Sequence, residues 1–291
     1  MNITAVCCQL GYSKQAYYKS RKVNQHKNAY RAEVLEQVLS VRRQMPRLGV
    51  RKLYHILEPS LREKKIPIGR DQLFRWLKAA NLLVIRKKRY CKTTDSRHWM
   101  RRYPNLVKGL VPDHPEQYWV ADITYIATKQ GFSFLHLLTD AYSKKIMGYE
   151  LCNDMLASST LKALRMALAN RQYDSLVTHH SDRGLQYSSA AYVEQLRASG
   201  IQISMTQDGN PYDNAIAERV NGILKDEFGL DVVFDDFDQL KKQTRQSIET
   251  YNLKRPHFSC SLLTPQEMHH QKEIEVKTWR KRKGGIKNPY P

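Results

Sequence analysis

Positive charge is confined to the two ends of this chain, and that asymmetry divides it before any motif is read. Residues 1–110 carry 26 Lys or Arg against 6 Asp or Glu, residues 111–276 carry 16 against 22, and residues 277–291 carry 6 against none. The net charge of +20 over 291 residues therefore belongs to two arms around an acidic middle. Basic arms neutralise phosphates and release their counterions, whereas an acidic middle can gather carboxylates around a hard cation. The length suffices for one substantial domain with one or two small ones.

Several classes fall away. No run of 18 or more apolar residues occurs, so no membrane-spanning helix is expected. The chain is polar within a few residues of Met1, which predicts no signal peptide and an intracellular, cytoplasmic protein. Cys7, Cys8, Cys91, Cys152 and Cys260 are odd in number and scattered, with no CxxC pair. Reduced thiols are expected, and no structural zinc site.

The basic first third reads as helical. Ser13 suits the N-cap of a helix from Lys14 to Lys22, with Gly11 supplying a turn before it. Val34, Val38 and Val41 mark the apolar face of a better helix, beside Leu35 and Leu39; Pro46 and Gly49 end it. Leu53, Ile56 and Leu57 mark the next helix. After Pro67 and Gly69, the stripe Leu73, Phe74 and Leu77 predicts a short third one with Arg70, Gln72, Arg75 and Lys78 on its other face. Three compact helices ending in a basic, amide-bearing one match the build of a major-groove reader. Residues 86–108 follow as a basic segment with little apolar periodicity.

From about residue 115 the texture becomes that of a mixed α/β domain. Tyr118 to Ile126, Phe132 to Tyr142 and Lys145 to Cys152 read as three strands with short links, an antiparallel meander. A helix carrying Leu161, Leu164 and Leu168 comes next. Ser175 to His180 then reads as a strand, Ala190 to Ala198 as a helix and Ile201 to Met205 as a fifth strand.

Three acids stand out against this frame. Asp122 lies inside the first strand between Val120 and Thr124, where an acid is costly without a partner or a metal. Asp182 follows the fourth strand, and strand C-termini are where α/β sites gather. Glu218 lies on a helix opened by Gly209, Asn210 and Pro211. At about 100° per residue, Ile216, Val220 and Ile223 lie opposite Glu218, while Asn214, Asn221, Gly222 and Lys225 lie within roughly 60° of it. A metal-binding acid thus shares a stripe with a phosphate-reaching lysine. Two Mg²⁺ ions about 4 Å apart, held by carboxylates and substrate phosphate, need no protein nucleophile. No convincing Ser/His/Asp or Cys/His set is present.

The order Asp122, Asp182, Glu218, with 35 residues between the last two, resembles the DDE signature of retroviral integrases and bacterial transposases. The surrounding stretches Trp119 to Tyr125, His180 to Tyr187 and Asp213-Asn214-Ala215 resemble the OrfB transposases of the insertion sequence 3 family. So do Tyr251-Asn252, Arg255-Pro256-His257 and Thr264-Pro265. The resemblance implies an RNase H-like mixed five-stranded sheet with flanking helices, preceded by a small all-α helix-turn-helix region. It divides the chain into a helical DNA-binding region at 1–85, a basic linker at 86–114, a catalytic domain at 115–276 and a basic tail at 277–291. It implies two Mg²⁺ or Mn²⁺ ions on Asp122, Asp182 and Glu218, binding of terminal inverted repeats, strand cleavage and transfer of the 3′-hydroxyl to target DNA.

Lys225 matches the family's basic position; Asn214 and Arg183 beside the acids, and Arg70, Arg75 and Lys78 in the helical third, are the other expected DNA contacts. A multimer on DNA is expected in a bacterial cytoplasm at the nucleoid. The resemblance also implies an upstream-frame partner that brings a helix-turn-helix and a leucine zipper; no heptad seam is visible in this sequence. Asp140 is the rival acid, His179 and His180 read as hydrogen-bonded structure or DNA contacts, and Asp208 and Asp213 as loop and cap residues. A nuclease of RNase H type and a catalytically silent DNA-binding regulator are the competing functions.

Overall fold

The structure, a computed structural model, describes residues 2–85, 103–207 and 214–276. Most of the expected basic linker (86–102), the basic tail, Asp208 and Asp213 lie outside the described residues. The chain divides into two compact units, Met1–Arg89 and Tyr90–Pro291.

The first unit is helical: α1 (Ile3–Gln9), α2 (Lys14–Ala29), α3 (Arg31–Gln44), α4 (Val50–Glu63) and α5 (Arg70–Ala79). The Ser13 hydroxyl accepts from Ala16 N at 3.1 Å, opening α2 as its sequence predicts. Val34 and Val38 of α3 and Leu53, Leu57 and Leu61 of α4 are buried at helical spacing. The stripe of α5 differs from expectation. Leu73, Trp76 and Leu77 are buried, and Phe74 is 45% exposed. Positions i, i+3 and i+4 share one helix face, so Trp76 takes the core place and Phe74 is turned outward.

In the second unit β1 (Tyr118–Thr128), β2 (Gly131–Asp140) and β3 (Ile146–Cys152) form the predicted antiparallel meander. β4 (Thr178–Ser181) pairs parallel to the other edge of β1, and β5 (Gln202–Met205) parallel to β4, giving the order β3-β2-β1-β4-β5. Parallel neighbours need crossovers, supplied by α6 (Ala157–Ala169) before β4 and α7 (Ala190–Ala198) before β5. Trp119, Ala121, Leu138 and Met147 of the sheet pack with Ala163, Leu164 and Leu196 of these helices on one face. On the other face Tyr118 and Val120 pack with Ala217 of α8 (Ala215–Phe228). α9 (Phe237–Lys254) and α10 (Pro265–His269) complete the unit.

Residues 103–107, grouped with the basic linker by composition, lie against β5. Met205 N donates to the Pro104 carbonyl at 3.3 Å and Leu106 N to Ser204 Oγ at 2.9 Å. Among the described residues no helix is long and apolar enough to cross a membrane.

Gly148 sets how closely α6 approaches the sheet. A Cβ there would lie 2.1 Å from the Ala163 carbonyl oxygen and 2.6 Å from Ala167 N. These are backbone atoms that cannot swing aside. Gly148→Ala should therefore cost about 2–3 kcal/mol by overpacking, measured as a lower urea midpoint at unchanged slope. Gly222, whose added Cβ meets nothing within 4 Å, should tolerate alanine with a gain of about 0.5–1 kcal/mol.

Candidate active site

The register of β4 against β1 pairs Val120 with His180. Asp122 and Asp182 each lie two residues further on, and side chains alternate with period two. Both acids therefore leave neighbouring strands in the same phase, at the end where β4 stops and β1 runs on paired with β2 only.

Helix α8 brings the third acid. Asn214 opens the helix, is buried, and donates through Nδ2 to the Ala121 carbonyl at 3.1 Å. Two turns later Asn221, also buried, donates through Nδ2 to Asp122 Oδ2 at 2.7 Å. Glu218 lies between these anchors and is exposed. The stripe Asn214, Glu218, Asn221 and Lys225 expected from helix geometry is thus pinned to β1 at two points. Asn214, expected to contact DNA, spends its amide Nδ2 on this bond to β1. The Lys225 ammonium lies 4.5 Å from the centroid of the Tyr125 ring, three residues beyond Asp122.

The far end of α8 is fixed by the C-terminal segment. Arg255, almost fully buried, donates to both carboxylate oxygens of Glu227 at 2.8 Å, a fork that fixes orientation as well as distance. Tyr251 Oη donates to the Lys144 carbonyl at 2.8 Å. Asn252 clips the backbone of Ile146, accepting from its N at 2.9 Å and donating to its O at 3.0 Å. Thr264 and Glu267 form a capping box on α10. Among the C-terminal motif residues Arg255 thus holds the glutamate helix, Tyr251 and Asn252 hold the turn into β3, and Thr264 opens α10.

The acids are electrostatically coupled. Burial first, and then the charge of Asp182, push the Asp122 carboxyl up to about 7 from an ordinary 3.8; Glu218 adds to the rise, while the Asn221 amide and the Ile123 N–H oppose it. Asp182 Oδ1 accepts from Gly184 N at 3.0 Å. The Arg183 guanidinium donates through Nε to the Thr206 carbonyl at 2.9 Å. Among the described residues no three His, Cys, Asp or Glu side chains gather closely enough to hold an ion unaided. The donor set still fits Mg²⁺, which binds through one or two carboxylates completed by phosphate and water. Arg70, Arg75 and Lys78 lie in the other unit, exposed on α5.

The rivals have other occupations. Asp140 accepts from Glu116 N (2.7 Å), Ser143 N (2.7 Å) and Ser143 Oγ (2.6 Å), and pairs with His269. His269 Nε2 also meets Glu116 Oε1 at 3.2 Å, with all three side chains buried. This clasp ties α10 to the sheet. Burial opposes the charged imidazole, but hydrogen bonds to Asp140 and Glu116 outweigh it and raise its pKa. His179 bonds the Tyr192 hydroxyl at 2.9 Å, and burial holds it neutral at about 3; His180 bonds Ser204 Oγ at 2.8 Å. Both histidines are thus hydrogen-bonded within the fold, one of the two roles expected of them. Asn221 could be placed beside Glu218 from sequence, but its bond to Asp122 could not, because helix periodicity does not say which strand the stripe faces.

Two family models, each described as an integrase core domain, match residues 112–211 and 199–265. The "Insertion element IS600 uncharacterized 31 kDa protein" of Shigella sonnei is 34% identical over 91% of this chain and 99% of its own length. "Transposase InsF for insertion sequence IS3fB" of Escherichia coli (strain K12) is 30% identical over 74% of this chain and 75% of its own length. Among solved structures, the HTLV-2 integrase catalytic core domain in complex with magnesium is 20% identical, with a TM-score of 0.43 over 55% of this chain and 99% of that one.

Two predictions concern charge. Asp122 binds its proton more tightly folded than unfolded, so between its ordinary 3.8 and about 7 the folded state holds the extra proton and stability falls as pH rises. Asp122→Asn removes that loss. Without divalent cations the variant should exceed wild type by ~1 kcal/mol at pH 7, discounted for solvent screening, and match it below pH 4 in chemical denaturation. His269 likewise contributes stability that is complete below 6.5 and lost as pH rises through its raised folded value. His269→Gln should cost about 3 kcal/mol at pH 6, by leaving buried carboxylates unpaired, and less at pH 9.

Proposed function

From the premise that the chain belongs to the insertion-sequence transposases with an integrase core, and within them to the insertion sequence 3 family, we propose that Asp122, Asp182 and Glu218 together carry DNA cleavage and 3′-hydroxyl transfer. The observation that carries this is the convergence of Asp122 on β1, Asp182 at the end of β4 and Glu218 on α8: burial first, then the charge of Asp182 and last that of Glu218, raise the Asp122 carboxyl to about 7. A fold gains nothing in stability from such repulsion. It is explained by a cation that the three share with substrate.

The carboxylates would hold two Mg²⁺ or Mn²⁺ ions. When bound, such ions supply activation of the attacking oxygen and stabilisation of the leaving one. The remaining work belongs to the chain's own groups. Asn221 orients Asp122 without adding charge. Lys225, steered by the Tyr125 ring, and Arg183 take backbone phosphates beside the scissile bond, as an ammonium and a guanidinium do by charge and by fork. Arg70, Arg75 and Lys78 on α5 face element-end DNA in the major groove. Terminal inverted repeats and target DNA are the substrates. The chain acts in the bacterial cytoplasm at the nucleoid, as a multimer that brings two ends together, and the product of an upstream frame with a helix-turn-helix and leucine zipper joins it.

The test compares wild type with Asp182→Ala on an oligonucleotide of the element's own end, with labelled target DNA and Mg²⁺. Cleavage and 3′-end joining should occur in wild type and drop to background in the variant, with DNA binding retained. Cutting without joining would identify a nuclease of RNase H type. Binding without cutting in both proteins would identify a regulator or the need for the upstream-frame partner. Joining that survives in the variant would remove Asp182 from the set.

A further inference from the structure

Helix α5 presents a row in which an aromatic ring stands between two cations. Phe74 is 45% exposed although Leu73, Trp76 and Leu77 around it are buried. One turn before it lies Arg70 and one turn after it Lys78, both exposed. At about 100° per residue these three fall within roughly 40° of one line, with Asp71 about 60° and Arg75 about 100° round from Phe74. Asp71 is the one acid of the helix, and it pairs with Arg70 at 2.9 Å.

Single exposed apolar residues are ordinary on protein surfaces, so exposure alone decides nothing. The placement does. A protein partner for Phe74 would have to desolvate the flanking cations or meet them with acids. Duplex DNA meets both requirements at once: phosphates line the two edges of the major groove, and the thymine C5-methyl is an apolar group on its floor. A helix lying in that groove sets Arg70 and Lys78 toward the backbone and the ring between them toward the bases.

We propose that Phe74 is a sequence-reading residue, recognising the C5-methyl of a thymine within the element end. The proposal rests on the reading that α5 faces DNA. It adds that Arg70, Arg75 and Lys78 give affinity without sequence preference, whereas the neutral Phe74 supplies discrimination.

The experiment uses the full chain and a duplex of the element's own end, with each thymine replaced in turn by deoxyuridine, which lacks only the methyl group. Fluorescence anisotropy at several salt concentrations is the readout. Wild type should bind about fourfold more weakly when one particular thymine loses its methyl, the equivalent of one buried methyl group. Phe74→Ala should bind the thymine and uracil duplexes equally, with wild-type salt dependence and an unchanged melting temperature. Arg75→Ala and Lys78→Ala should weaken all duplexes alike and lessen the salt dependence.

Discrimination that persists in Phe74→Ala while the cation variants lose affinity overturns the proposal and leaves the DNA-facing reading of α5 standing. Cation variants that bind as wild type does overturn that reading, and the proposal falls with it. If Phe74→Ala alters self-association in sedimentation and leaves thymine discrimination intact, the ring belongs to a contact between copies and the proposal is wrong.

Discussion

Because β4 pairs parallel to β1 in a register that sets His180 beside Val120, two acids far apart in sequence leave adjacent strands in the same phase. Everything else about the site follows from keeping that pairing in place. The crossover helix α6 must lie close enough to the sheet to return the chain to the β1 edge, and Gly148 permits that approach. The buried ring cluster of His179, Tyr187 and Tyr192 fills the space beneath α7, so that β4 and the turn carrying Asp182 sit on a packed floor. The third acid is added afterwards, on a helix that the first strand itself anchors.

That anchoring separates two jobs which a string of acids cannot do together. Charge that repels must be gathered, and the gathering must be stabilised by groups that do not cancel the charge. Neutral amides meet the requirement: Asn214 and Asn221 hold α8 to Ala121 and Asp122 without supplying a counter-ion that would compete with a metal. The full ion pairs are kept elsewhere, Arg255 with Glu227 at the back of the helix and His269 with Glu116 and Asp140 beneath α10. These cationic side chains stabilise the scaffold around α8 and α10.

Much of this was legible in the sequence, for identifiable reasons. Strands rich in aromatic and β-branched residues announced the meander, and all five strands stand where alternation placed them within a few residues. The stripe of α8 followed from helical period alone, down to Asn214, Glu218, Asn221 and Lys225. What periodicity cannot give is the partner across a gap. The Asn221 bond to Asp122, the burial of Asn214, the Lys225 contact with Tyr125 and the occupation of Asp140 by Ser143 and His269 all join residues distant in the chain. Phe74 failed for a related reason: with Leu73, Phe74, Trp76 and Leu77 all apolar, period alone allows more than one stripe, and only packing against the rest of the helical unit chooses Trp76.

The grip of Arg255 on Glu227 has a consequence in time. All three acids have been synthesised well before the Arg255 that clamps the far end of their helix. At about 5–20 residues per second, the stretch from Glu218 to His269 takes roughly 3–10 s to make, longer if the ribosome still covers it. Throughout that interval a nascent chain carries the acids without the clamp that holds the third in place. A chain truncated before Arg255 would keep all three acids and the two amide anchors of α8 on β1 while lacking the clamp on the far end of the helix.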